Sequence, residues 1–147
     1  MEISASEAAP RRIQIVATSG PADIPRACLA LEAALAAAAS GLSVRVFLVL
    51  DATKWACEPR RAVGDRVYAL LDQLEAMGVV IRCCSSCVTE HCGNAWDRLD
   101  AVGGALTDGA VAAAVPGSAA TIGATMKVSG LAEFVEGVAA GVPTVTF

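Results

Sequence analysis

The chain is poor in the features that nucleic-acid binding, membrane insertion and export require. Aromatic residues make up 4% of it and the net charge is −4, so there is no basic field with interleaved rings to attract and stack a polynucleotide. No apolar run reaches the roughly 18 residues of a membrane-spanning helix. Residues 1–10 carry Glu2 and Glu7 in place of a basic segment followed by an apolar one, so a loose leader is expected there and not a signal peptide. Phosphate-binding glycine loops are missing too. Thr18-Ser19-Gly20 is not a Gly-x-Gly-x-x-Gly turn, and Pro21 removes a backbone donor that a phosphate would use. No Gly-Lys-Ser/Thr loop occurs, and neither a cofactor nor a resident metal is expected.

What remains is a chain of 147 residues, 55% of them hydrophobic, enough for one domain with a proper core and no need of disulfide staples. Six cysteines without an export signal point to a reducing cytoplasm, where thiols serve catalysis or metal binding. Strand and helix signals alternate. Ile13–Ala17 reads as a strand, stopped by Thr18-Ser19-Gly20-Pro21. A helix over Asp23–Ser40 follows, with Pro25 in its first turn and Cys28, Leu31, Leu35, Ala38 and Leu42 on one face. Val44–Leu50 is a second strand, apolar almost throughout. Asp51–Arg61 is a loop holding Trp55, Cys57, Arg60 and Arg61, expected to be an ordinary solvated connection, the other reading being that it lines the pocket or docks a partner. A helix over Gly64–Met77 ends at Gly78, and Val79–Ile81 is a buried strand.

Beyond the cysteine-rich stretch, Asn94 is placed as the cap of a short helix reaching Val102. Ala110–Val115 fits strand or helix. Thr125–Val128 is a further strand, and Ser129 is placed as the N-cap of a last helix with Leu131, Phe134, Val135 and Val138 on its apolar stripe. Thr144–Phe147 closes the chain as a strand. This order implies an α/β fold: a three-layer sandwich around a mostly parallel sheet of about five strands, flavodoxin- or Rossmann-like.

Gly78 to Gly93 holds four of the six cysteines and the only histidine. Loops at the carboxyl ends of parallel strands form the working edge of such folds. Three chemistries suit the stretch. Cys84 and Cys87 have zinc-like spacing, with His91 and Cys92 to complete four ligands, although all four crowd into one short loop. Cys84 and Cys87 also form a Cys-x-x-Cys pair suited to thiol–disulfide exchange, but the next clear helix begins only near Asn94, so no helix N-terminus is expected to assist it. A single thiolate flanked by the cations Arg82 and His91 is the third. Cys28 reads as an inert core thiol. Cys83 and Cys84, adjacent on an extended chain, point to opposite faces and so are not expected to share one role.

Gly78-Val79-Val80-Ile81-Arg82-Cys83-Cys84, after a helix ending Leu-Glu-Ala-Met-Gly, resembles the central segment of the DsrE/DsrF-like sulfurtransferases, where a Gly-Val-x-x-x-x-Cys strand delivers the sulfur-carrying cysteine. Lys127-Val128-Ser129-Gly130-Leu131-Ala132-Glu133-Phe134 and the final helix and strand resemble the family's ending. The resemblance spans residues 11–147, with 106–124 reading as an insertion. It implies a cytoplasmic sulfur carrier that takes sulfane sulfur as a persulfide on Cys84. The sulfur would pass to an acceptor thiol on a TusA-like protein, in sulfur oxidation or tRNA thiolation. Cys83 or Cys87 would assist at the reacting sulfur, with Arg82, His91 and Cys92 in support. A homotrimer or other homo-oligomer is also implied. The alternative is a structural or regulatory module whose loop binds zinc or acts as a dithiol switch.

Overall fold

The β-branched and apolar runs read from the sequence become five parallel strands in the order β4-β3-β2-β1-β5. The computed structural model describes residues 11–58, 60, 62–92 and 126–147, with the side chains of Met126 and Lys127 left aside. The leader over 1–10, Arg61, the helix expected from Asn94, the Ala110–Val115 segment and the insertion at 106–124 lie outside the described residues. Strand β1 (Arg12–Ala17) leads to helix α1 (Ile24–Ala39), β2 (Ser43–Leu48), a single turn and the short α2 (Lys54–Cys57). Helix α3 (Asp65–Ala76), β3 (Val80–Cys84), α4 (Ser85–Cys92), β4 (Met126–Ser129), α5 (Ala132–Ala139) and β5 (Thr144–Thr146) complete the order.

Alternation along each strand divides the sheet into two faces. Ile15, Ala17, Val44, Val46, Leu48, Ile81 and Cys83 join Ala27, Cys28, Leu31 and Ala34 of α1 and Val67, Leu71 and Leu74 of α3 in one core cluster. The other face meets α5. The rings of Phe47 and Phe134 touch edge to face at 5.3 Å, and Glu133 bridges Arg45 at 3.2 Å and Arg82 at 3.0 Å. Gln14, 2% exposed, donates to the Phe134 carbonyl and to Thr144 Oγ1. An added Cβ at Gly137 would run into that buried amide, so the close seat of α5 depends on glycine there.

Local signals explain the element ends. Asp23 accepts a hydrogen bond from the Arg26 N–H and so caps α1, with proline in the first turn. At the end of α3, Gly78 takes φ +77°, and the Gly78 and Val79 N–H groups return to the carbonyls of Glu75 and Leu74. This left-handed cap swings the chain directly into β3.

Three expectations change. The Trp55 loop is core and not a solvated connection: Trp55 is 3% exposed, donates to the Ser19 carbonyl at 2.8 Å and packs edge to face on Tyr68. The stretch after Cys84 is helical from Ser85 onward. Ser129 is the last residue of β4, and α5 begins at Ala132 after Leu131, so Ser129 does not cap it.

Candidate functional site

Because β3 passes into α4 without a loop, Cys84 is both the last residue of a central strand and the residue immediately before a helix. The unpaired N–H groups of a first helical turn and the helix dipole favour negative charge at that place, by about 0.3–1 kcal/mol when exposed and more when partly buried. The expected obstacle to Cys-x-x-Cys chemistry, a distant helix, is thereby removed. Cys87 lies in the first turn of α4, and its thiol is hydrogen-bonded to Cys84. Burial pushes the Cys87 thiol above its ordinary value; the Leu50 N–H, which donates to its sulfur, works in the opposite direction, and the neighbouring Cys84 sulfur and Glu90 add to the rise. Cys87 therefore keeps its proton at neutral pH and offers it to Cys84.

Leu50 presents that N–H from a left-handed conformation, φ 51°, which costs a leucine about 1–2 kcal/mol. Its side chain, half exposed, lines a cleft of about 260 Å³ with Val16, Phe47, Val49, Cys87, Leu131 and Phe134. The cleft opens between the sheet and α5, and Cys87 is the thiol in its wall.

The two adjacent cysteines of β3 are separated by the sheet. Cys83 is fully buried and belongs to the core under α1 and α3. Burial, with a smaller contribution from the Cys84 charge, pushes its thiol up to about 12. It is a protonated core group with no route to the cleft. Cys84 faces the opposite side, beside its register partner Ser129 on β4. The Ser129 hydroxyl is buried and has no hydrogen-bond partner among the described residues, a condition that ordinarily costs about 1–3 kcal/mol. The sequence offered one hint of it, the placement of Ser129 in the segment resembling the family's ending.

The other expected participants are drawn elsewhere. Arg82, two residues before Cys84 on the same face, is bound by Glu133 through its Nε at 3.0 Å. His91 Nδ1 lies 3.0 Å from Asp51 Oδ1 at the far end of α4, and Lys54 reaches the same carboxylate at 3.6 Å. Cys92 is disulfide-bonded to Cys57, across a sequence separation of 35. This departs from the expectation of free thiols, and the reason is packing: α2 and α4 lie against each other with both sulfurs buried. Cys92 Sγ also lies 3.8 Å from the Thr53 carbonyl, which can accept the thiol proton of the reduced form. The four residues read as zinc ligands therefore do not fit one centre. Among the described residues no group of three His, Cys, Asp or Glu side chains gathers as a metal site, and no helix is long and apolar enough to cross a membrane.

The family profile described as DsrE/DsrF-like matches residues 11–147. The crystal structure of the ychN protein from E. coli is similar in fold, with a TM-score of 0.66 over 93% of this chain and 99% of its own at 21% identity. No curated protein matches the sequence.

Proposed function

The chain belongs to the DsrE/DsrF-like family, and from that footing we propose that it is a sulfur carrier whose persulfide forms on Cys84. The observation that carries this reading is the position of Cys84, at the carboxyl end of β3 and the start of α4, hydrogen-bonded to Cys87 in the wall of an apolar cleft. The Cys84 thiolate attacks the outer sulfur of a donor R–S–SH. The donor S–S bond breaks, R–S⁻ leaves with the electron pair, and Cys84–S–SH forms. An acceptor thiolate then attacks the same outer sulfur, takes it as its own persulfide and returns Cys84 as thiolate. Cys87 hydrogen-bonds the reduced Cys84; once its proton has passed to solvent, the Cys87 thiolate can attack the inner sulfur of Cys84–S–SH, closing a Cys84–Cys87 disulfide and expelling HS⁻.

Cys83, sealed in the core, serves packing, and Arg82 serves by holding α5 over the site through Glu133. The acceptor is a thiol on a TusA-like protein, the setting cytoplasmic, and the protein a homo-oligomer. Leu131, Val135 and Val138 on or beside α5 and Val145 on the edge strand β5 are each 40% exposed or more, and apolar surface of this kind supports association. The hydrogen-bonded Cys84–Cys87 pair at a helix start also favours a second reading, a dithiol switch.

Intact mass spectrometry after incubation with inorganic polysulfide separates the two. The carrier reading predicts a dithiothreitol-reversible gain of whole sulfur atoms, lost in Cys84→Ser and kept in Cys28→Ser. Loss of two hydrogens without sulfur gain would establish the switch instead. A Cys84→Ser protein that loads like wild type would remove Cys84 from the role.

A further inference from the structure

The carrier reading leaves the Ser129 hydroxyl without a task. Its place in the sheet gives it one. Strand β4 pairs with β3 in parallel register, Cys83 opposite Val128 and Cys84 opposite Ser129. Cys83 and Val128 both pack into the core under α1 and α3, so Cys84 and Ser129 both project from the other face. Strand neighbours in register lie about 5 Å apart, and one added sulfur lengthens the Cys84 side chain by about 2 Å. An outer sulfur on Cys84 thus extends into the neighbourhood of a hydroxyl that is buried and lacks a partner among the described residues.

A buried donor left unpaired is unfavourable in the resting protein. It is retained at no loss where a ligand completes it. The first turn of α4 begins at the residue after Cys84, so the same point is approached by backbone N–H groups that have no partner within their helix. Both sets of donors suit an anion, and the Cys84 sulfur itself is already hydrogen-bonded by Cys87.

Resting on the carrier reading, we propose that Ser129 and the first turn of α4 form an anion subsite for the terminal sulfur of a Cys84 perthiolate, with Ser129 Oγ donating to that sulfur. The ligand class is a one-atom anionic sulfur terminus, as carried by Cys84–S–S⁻. By holding the anion, Ser129 keeps the carried sulfur deprotonated and nucleophilic. It also slows attack on the persulfide by Cys87, since the leaving HS⁻ must give up its donor.

The test compares wild type, Ser129→Ala and Ser129→Thr, each loaded with inorganic polysulfide, with far-ultraviolet circular dichroism verifying the fold. Two quantities are read: the lifetime of the Cys84 persulfide by intact mass, and the pH midpoint of perthiolate formation by its near-ultraviolet absorbance. Loss of a hydrogen bond to an anion predicts that Ser129→Ala shortens the lifetime about tenfold to a hundredfold and raises the midpoint by about one to two pH units. Ser129→Thr, which keeps the hydroxyl, restores both. Ser129→Ala that loads, decays and titrates like a loading wild type overturns the subsite alone. Wild type that takes up no sulfur overturns the carrier reading and the subsite with it.

Discussion

The separation of Cys83 from Cys84 can be measured through alkaline stability. The perturbation is a rise in pH from about 8 to about 10.5 in wild type and in Cys83→Ala, under anaerobic conditions that prevent oxidation. The Cys83 thiol has no exposure, and burial raises it from an ordinary 9.0 to about 12. Its folded value is the higher one, so its contribution is fully present below the unfolded value. It is lost as pH rises from there towards 12, because the unfolded chain gives up the proton first. Each pH unit in that window costs about 1.4 kcal/mol, and the climb to pH 10.5 costs about 2 kcal/mol. Urea unfolding at the two pH values should show wild type losing about 2 kcal/mol more than the variant, on top of losses common to both. Equal losses would mean that the Cys83 thiol ionises freely in the native protein. It would then be open to solvent and a competitor to Cys84 for sulfur.

Three further outcomes follow from the geometry. Reduction of Cys57–Cys92 releases a loop spanning a sequence separation of 35, worth about 4 kcal/mol of chain entropy; calorimetry with and without reductant should lower Tm by about 10 °C in wild type and leave Cys92→Ala unchanged. Leu50→Gly removes the left-handed strain at φ 51°, so denaturant unfolding should find stability equal or higher by up to about 1 kcal/mol, whereas a loss beyond about 1 kcal/mol contradicts the strain. Gly137→Ala pushes a methyl group into the buried Gln14 amide and should cost about 1–3 kcal/mol in the same assay, through displacement of α5 from the sheet.

Most of the scaffold was legible because its signals are local. Apolar spacing along α1 and α3, Asp23 and Gly78 at their ends, and β-branched runs in the strands agree with one another, and the all-parallel sheet follows from their alternation. Cys84 was reached by counting from Gly78 in a segment resembling a family, and the opposed faces of Cys83 and Cys84 from strand geometry alone. Helix α4 was not legible: Ser85-Ser86-Cys87-Val88-Thr89 are poor helix formers, and the helix holds because Val88 and Cys92, four residues apart on one face, are buried. The Cys57–Cys92 pairing and the bond from the Leu50 N–H to Cys87 join residues far apart in sequence, which periodicity does not register. Ser129 looked like a helix cap because serine before an apolar stripe usually is one; only the register of β4 against β3 reveals its neighbour.

The central claim is that the sulfur resides on Cys84, and residue-level localisation tests it most directly. Wild-type protein loaded with isotopically heavy polysulfide, trapped by alkylation and digested, yields a peptide containing Cys83, Cys84 and Cys87, whose fragmentation assigns the label. The account predicts heavy sulfur on Cys84, with Cys83 unlabelled and unalkylated until the protein is unfolded. Label on Cys83, or on Cys87 with none passing through Cys84, would contradict it.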